Sequence, residues 1–182
     1  MPRSVVLVPY DPEWPERFET ARADILGACP GIVTQVQHIG STSISGLRAK
    51  DIIDVMPGLA RFEDGERCIA PLTAIGYEYR GEYGIPGRHY WVKDDPATGV
   101  RLQNVHMYEV GHDDWAAHLA FRDYLRAHDD WRDGYAALKR ELAARYAGDV
   151  EAYADAKTMF VKEVVALHAA ETGSGHVYRR VR

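Results

Sequence analysis

The stretch His38-Ile39-Gly40-Ser41-Thr42-Ser43-Ile44-Ser45-Gly46-Leu47-Arg48-Ala49-Lys50-Asp51-Ile52-Ile53-Asp54 decides the reading of this chain. A β-like run, 32–39, enters a turn of glycine and small hydroxyl residues. A second β-like run, 52–56, follows and carries a carboxylate at Asp54. Backbone N–H groups and hydroxyls in such a turn can hold phosphate oxygens, which makes Gly40, Ser41 and Thr42 candidate phosphate contacts. A carboxylate on the next strand can hold a divalent metal that bridges to those phosphates.

Working outward, Asp11-Pro12-Glu13-Trp14-Pro15 reads as a helix start with proline in the first turn, and the helix runs 14–26. Cys29-Pro30-Gly31 ends it. Beyond the second strand, Pro57-Gly58 is expected to stop the chain's extended run. A short helix is expected over 62–75, then strands over 77–80, 88–93 and 101–110, paired antiparallel. From His112 onward the spacing predicts helices over 114–128, 130–146 and 149–170, with Asp113, Asp114, Asp129, Asp130 and Asp149 at their starts. Helix, mixed sheet, then helices describes an α+β domain over residues 1–170. Residues 171–182, ending in Arg179, Arg180 and Arg182, read as a flexible basic tail.

Composition narrows the function classes. The chain has 182 residues, enough for one domain with a sizeable core. Its formal net charge of −5 argues against an extended nucleic-acid face but not against one anion in a local cationic pocket. No apolar run approaches the roughly 20 residues of a membrane span, and the apolar run at the N-terminus is too short for a signal peptide. Cys29 and Cys68 form neither a disulfide framework nor a metal spacing, which suits a cytoplasmic location.

Three cations fall on apolar helical stripes. Arg122 shares a face with Trp115, Leu119 and Leu125; Lys139 with Tyr135 and Leu142; Lys157 with Tyr153, Phe160 and Val161. Either their stems snorkel to water, or they line a shared cationic cleft that faces the Gly40–Ser41 turn. Asp54, inside an apolar strand, is either a metal ligand or one half of an internal salt bridge. Its neighbour on the same face is Met56 rather than a second carboxylate. His106 alternates with Asn104 and Tyr108, and is a metal ligand, a phosphate donor, an acid/base group or a structural residue. His38 precedes the turn and can orient it through a hydrogen bond. His112, His118, His128 and His168 read as solvated helix residues.

Together these residues resemble the signature of the GrpB family. The likeness runs from His38 through Leu47, Ala49-Lys50 and Ile52-Ile53-Asp54 to His106, Trp115, Phe121-Arg122-Asp123-Tyr124-Leu125, Tyr135, Leu138-Lys139, Tyr153 and Ala156-Lys157. GrpB proteins in turn resemble the nucleotidyltransferase superfamily with the DNA polymerase beta-like core, some being fused to dephospho-coenzyme A kinase. The resemblance implies a mixed sheet, a Gly-Ser motif at Gly40-Ser41 that holds nucleotide phosphates, and a metal carboxylate at Asp54. It places the second carboxylate on Met56, and loosely places His106 where a third would stand. A thioether is a poor ligand for Mg²⁺. Two functions follow as expectations. One is metal-dependent nucleotidyl transfer, with Asp54 and His106 toward the metal, His38 and Thr42 beside the phosphate motif, and Lys50, Arg122, Lys139 and Lys157 neutralising a triphosphate. The other is an inactive domain that binds a nucleotide or another phosphorylated small molecule. Beside both stands a structural or interaction module whose cations pair with internal acids.

Overall fold

The computed structural model describes residues 5–174. Its order is α1 (Trp14–Ala28), β1 (Val33–Ile39), a 3-10 turn at Ser41–Ser43, β2 (Ile53–Leu59), a 3-10 segment at Phe62–Cys68 and α2 (Ile69–Ala74). There follow β3 (Glu78–Tyr79), β4 (Arg88–Asp94), β5 (Arg101–Glu109), α3 (Asp113–Ala127), α4 (Asp129–Arg145), α5 (Val150–Ala156) and α6 (Thr158–Thr172). The strands form one mixed sheet in the order β1-β2-β5-β4-β3, in which the β2–β5 pair is parallel and the other pairs antiparallel. No helix of the described residues is long and apolar enough to cross a membrane.

Strand alternation separates the two faces of the sheet. Val36, Ile53, Val55, Trp91, Val105 and Met107 pack with Trp14, Phe18 and Ile25 of α1 in one core. Ile39, Met56 and Tyr108 point the other way, against Trp115 of α3. Burying each such side chain contributes about 1.5–3 kcal/mol. A further core joins Ile44 and Leu47, just after the turn, to Phe121, Tyr124 and Leu125 of α3 and Val164 and Val165 of α6. The helices thus clamp the segment that carries the Gly-Ser turn.

Several boundaries differ from expectation. Pro57-Gly58 does not end β2, which runs on to Leu59. The ladder to β5 steps from Val55–Val105 to Gly58–Tyr108, and Pro57 falls in that gap, where its missing N–H is tolerated. The helix foreseen at 62–75 is 3-10 in its first half. The helix foreseen at 149–170 breaks at Lys157, whose N–H turns back to the Asp155 carbonyl. Asp149 caps α5 by accepting from the Ala152 N–H at 2.9 Å. The cap of α3 is the His112 ring rather than an aspartate. Of the expected tail, Glu171 and Thr172 close α6, and residues 175–182 lie outside the described residues.

Candidate functional site

Gly40 takes φ +69° and ψ −170°, a conformation open essentially to glycine. A side chain there would also meet Asp54: a Cβ would lie 3.1 Å from Asp54 Cβ and Cγ, and closer still to Oδ2. The glycine is therefore required twice, by the turn and by the carboxylate under it. The turn is closed by Ser43 N–H to the Gly40 carbonyl at 3.3 Å, Ser43 Oγ to the same oxygen at 2.6 Å, and Ile44 N–H to the Ser41 carbonyl at 3.3 Å. Thr42 is buried, with its hydroxyl 3.0 Å from His38 Nε2. The half-buried Ser41 side chain enters none of these bonds.

His38 lies on the other face of the sheet from Asp54. It stacks on Phe18 of α1 with ring centres 4.6 Å apart, and its register partner is Val55. Burial pushes its pKa down to about 4, helped by Arg126 and Arg122 and opposed by Asp54. It is a neutral ring that holds Thr42 from beneath. That geometry gives it no direct reach to a phosphate over Asp54.

The surroundings of Asp54 come from β4 and β5. Asn104 is its register partner and donates from Nδ2 to Oδ1 at 2.9 Å. The orientation of that amide is fixed at its other end, where Oδ1 accepts from Tyr90 Oη at 3.0 Å and Arg101 Nη1 at 3.1 Å. His106 Nε2 stands 3.7 Å from Asp54 Oδ1. Its Nδ1 is 3.2 Å from Arg88 Nη1. A guanidinium only donates, so Nδ1 accepts and the imidazole proton sits on Nε2, directed at Asp54. Burial raises the Asp54 pKa, but His106, Asn104 and Lys50 outweigh it and leave the carboxyl below its usual range.

This donor set does not fit a resident pair of metal ions. One carboxylate is present, and the groups around it are N–H donors. Met56, at the second carboxylate position, is fully buried between Ile39, Tyr108 and Trp115. With Arg88 at Nδ1 and the proton on Nε2, His106 directs an N–H rather than a lone pair toward Asp54. Asp51, the nearest carboxylate before Asp54 in the chain, is taken by Trp14 Nε1 at 2.8 Å and Arg17 Nη1 at 2.5 Å. Glu82 is likewise engaged, accepting from the Gly87 N–H at 2.7 Å. Among the described residues no group of three or more His, Cys, Asp and Glu is placed to hold a metal.

The three helical cations part into two places. Arg122 donates to Gln37 Oε1 at 2.9 Å, to the His38 carbonyl at 3.1 Å and to Asp123 at 2.7 Å, and so ties α3 to β1. Arg126 does the same for the turn, donating to the Ser43 carbonyl at 2.7 Å. Lys139 and Lys157 belong together elsewhere. Lys139 is 1% exposed, donates to the Arg48 carbonyl, and lies 4.9 Å from the Tyr135 ring centre. Burial first, then the charge of Lys157, lowers its pKa to about 7. Lys157 lies 4.4 Å and Lys50 5.9 Å from the Tyr153 ring centre. The charge of Lys50 also acts on Asp54, so Lys50 stands between the lysine pair and the carboxylate in its electrostatic reach.

In the sequence Arg88 is a polar group near a strand start with no diagnostic spacing, Tyr90 and Arg101 carry no signal, and Asn104 is a face-mate of His106. His118, expected in solvent, has its ring 5.7 Å from that of His106. The alternation of Asn104, His106 and Tyr108 was the available signal; the strand that would face it was not.

The GrpB protein family pattern matches residues 4–167. The chain is 36% identical to UPF0157 protein YqkA of Bacillus subtilis over 160 residues, which cover 88% of this chain and 46% of that protein. It is 36% identical to UPF0157 protein BH1888 of Halalkalibacterium halodurans, covering 89% of this chain and 81% of the relative. It therefore spans about half the length of one of these relatives. A protein of Mycolicibacterium paratuberculosis named dephospho-CoA kinase is 28% identical, over 87% of this chain and 44% of its own length. Among solved structures, the conserved protein GrpB from Enterococcus faecalis superposes with a TM-score of 0.84 at 32% identity, over 92% of this chain and 99% of that one. Cid1 in complex with its short product ApU gives 0.53 at 14% identity, over 82% and 48%, a likeness of fold.

Proposed function

This chain belongs to the GrpB family, and on that premise we propose that it binds a nucleoside triphosphate or a similar phosphate ester. The ligand's phosphates lie between the Gly40–Thr42 turn and the lysines Lys50, Lys139 and Lys157. The observation that carries this reading is Lys139. An ammonium 1% exposed and beside a second ammonium is costly, and among the described residues its hydrogen-bond partner is a carbonyl rather than a carboxylate. A polyanion supplies the missing charge. The nucleotidyltransferase-like fold and the relative named dephospho-CoA kinase support a phosphate-bearing ligand.

The chemistry at Asp54 favours binding over metal-dependent transfer. Met56 removes the second carboxylate, and Asn104, His106 and Lys50 already compensate the first. Mg²⁺ enters this picture as part of a magnesium–nucleotide ligand. Calorimetry with ATP and with inorganic tripolyphosphate, each with and without Mg²⁺, tests the reading. Saturable binding of both is expected, weakened about tenfold in Lys157→Met by the loss of one charge-assisted contact. Transfer of a labelled nucleotide that vanishes in Asp54→Asn would overturn the preference for binding alone. Failure of both ligands to bind would overturn the reading itself.

A further inference from the structure

Beside Asp54 the sheet carries a row of rings that phosphate binding leaves unused. Tyr83 stacks on Tyr90 with ring centres 5.3 Å apart and planes 25° apart. The Tyr90 ring lies 5.2 Å from that of His106, which faces Asp54. The row thus leads from the surface to the carboxylate. At its outer end Tyr83 is 62% exposed, and it takes φ +47°, alone among the described non-glycine residues in having a positive φ. A tyrosine is uncommon there because its Cβ crowds the backbone.

The carbonyls of that loop are held by Arg88, itself 5% exposed. Its Nη2 donates to the Tyr83 carbonyl at 3.0 Å and to the Glu82 carbonyl at 3.2 Å, and its Nε donates to Glu82 as well. Its Nη1 donates to His106, and its guanidinium lies 4.5 Å from the Tyr90 ring centre. One buried cation therefore sets the loop, the inner ring and the imidazole together. Backbone strain upheld by its surroundings collects where ligands are held. Here it presents a large ring to solvent.

We propose that Tyr83 and Tyr90 form a stacking platform for a nucleobase, or a flat heteroaromatic ring like one, beside Asp54. It rests on the phosphate-binding reading above and names a part of the ligand that the lysines and the turn leave undefined. Stacking on an aromatic face tolerates every base, so the platform discriminates a ring from no ring. The ring belongs either to the triphosphate ligand or to a separate acceptor.

Calorimetry on the full chain with three probes decides this: ATP, inorganic tripolyphosphate, and adenosine added over saturating tripolyphosphate. The variants are Tyr83→Gly, which suits the positive φ, and Tyr83→Phe, which keeps the ring. Tyr83→Gly should weaken a ring-bearing probe about tenfold, the scale of one base stacked on one side chain, and leave tripolyphosphate unchanged. Tyr83→Phe should bind as the parent does. Weakened ATP assigns the platform to the ligand's own base; weakened adenosine with unaltered ATP assigns it to an acceptor. Equal binding of both ring-bearing probes before and after substitution overturns the platform, as does an equal loss for ATP and tripolyphosphate. Absence of tripolyphosphate binding overturns the phosphate reading instead, and adenosine alone then decides the platform.

Discussion

Lys139→Met should convert a pH-dependent protein into one less dependent on pH. The amine is 1% exposed, and burial together with Lys157 brings its pKa from an ordinary 10.5 to about 7. Between those values the unfolded chain holds a proton that the folded chain has released. Unfolding then takes up a proton, so stability rises with pH across this window and the cost is fully present below about pH 7. Each tenfold change in protonation is worth about 1.4 kcal/mol. Because the folded amine is half protonated near pH 7, the gain from pH 7 to 9 is about 2 kcal/mol. Methionine is close in volume and carries no charge. At pH 7 the variant should be the more stable protein by about 1–4 kcal/mol, the range for replacing buried ions with apolar residues. By pH 9 its advantage should shrink by about 2 kcal/mol. Urea unfolding followed by tryptophan fluorescence at both pH values measures the difference, and comparing the two proteins cancels the other titrating groups. Equal pH slopes would refute the argument. Saturating tripolyphosphate should in turn stabilise the parent more than the variant, because an anion restores the proton to Lys139.

Gly40→Ala should cost about 2 kcal/mol or more, since alanine disfavours φ +69° and its methyl would press on Asp54. A calorimetric melting point lowered by about 4 °C or more is expected; an unchanged one would show that the turn yields freely. In the parent protein, ¹⁵N NMR of His106 should find the proton on Nε2, and Arg88→Met should let the two tautomers mix; a parent proton on Nδ1 would contradict the donor network around Asp54.

Much of this molecule is written locally. The turn at Gly40, the position of Asp54 and the helix starts follow from a few neighbouring residues, because φ preferences, capping and side-chain alternation act over one to four positions. Met56 in place of a second carboxylate was visible for the same reason. The lysines could be placed on apolar stripes by spacing alone. Their grouping could not: spacing on a helix says nothing of how that helix is rotated against its neighbours. Hence Arg122 goes to Gln37 and His38, while Lys139 joins Lys157 near Tyr153.

The sequence by itself determined the family, the α+β class, the glycine-centred turn and the lone carboxylate beneath it. Tertiary structure decided the chemistry around that carboxylate. Asn104 stands opposite Asp54 because β2 and β5 pair in parallel in one register, and a slip of one residue would send every side chain to the other face. The β1–β2 and β4–β5 registers likewise send His38 to the Phe18 face, leave Met56 beside Trp115, and let Arg88 reach His106 from β4. Partners separated by dozens of residues are chosen by strand pairing and burial, which no local stretch of sequence contains.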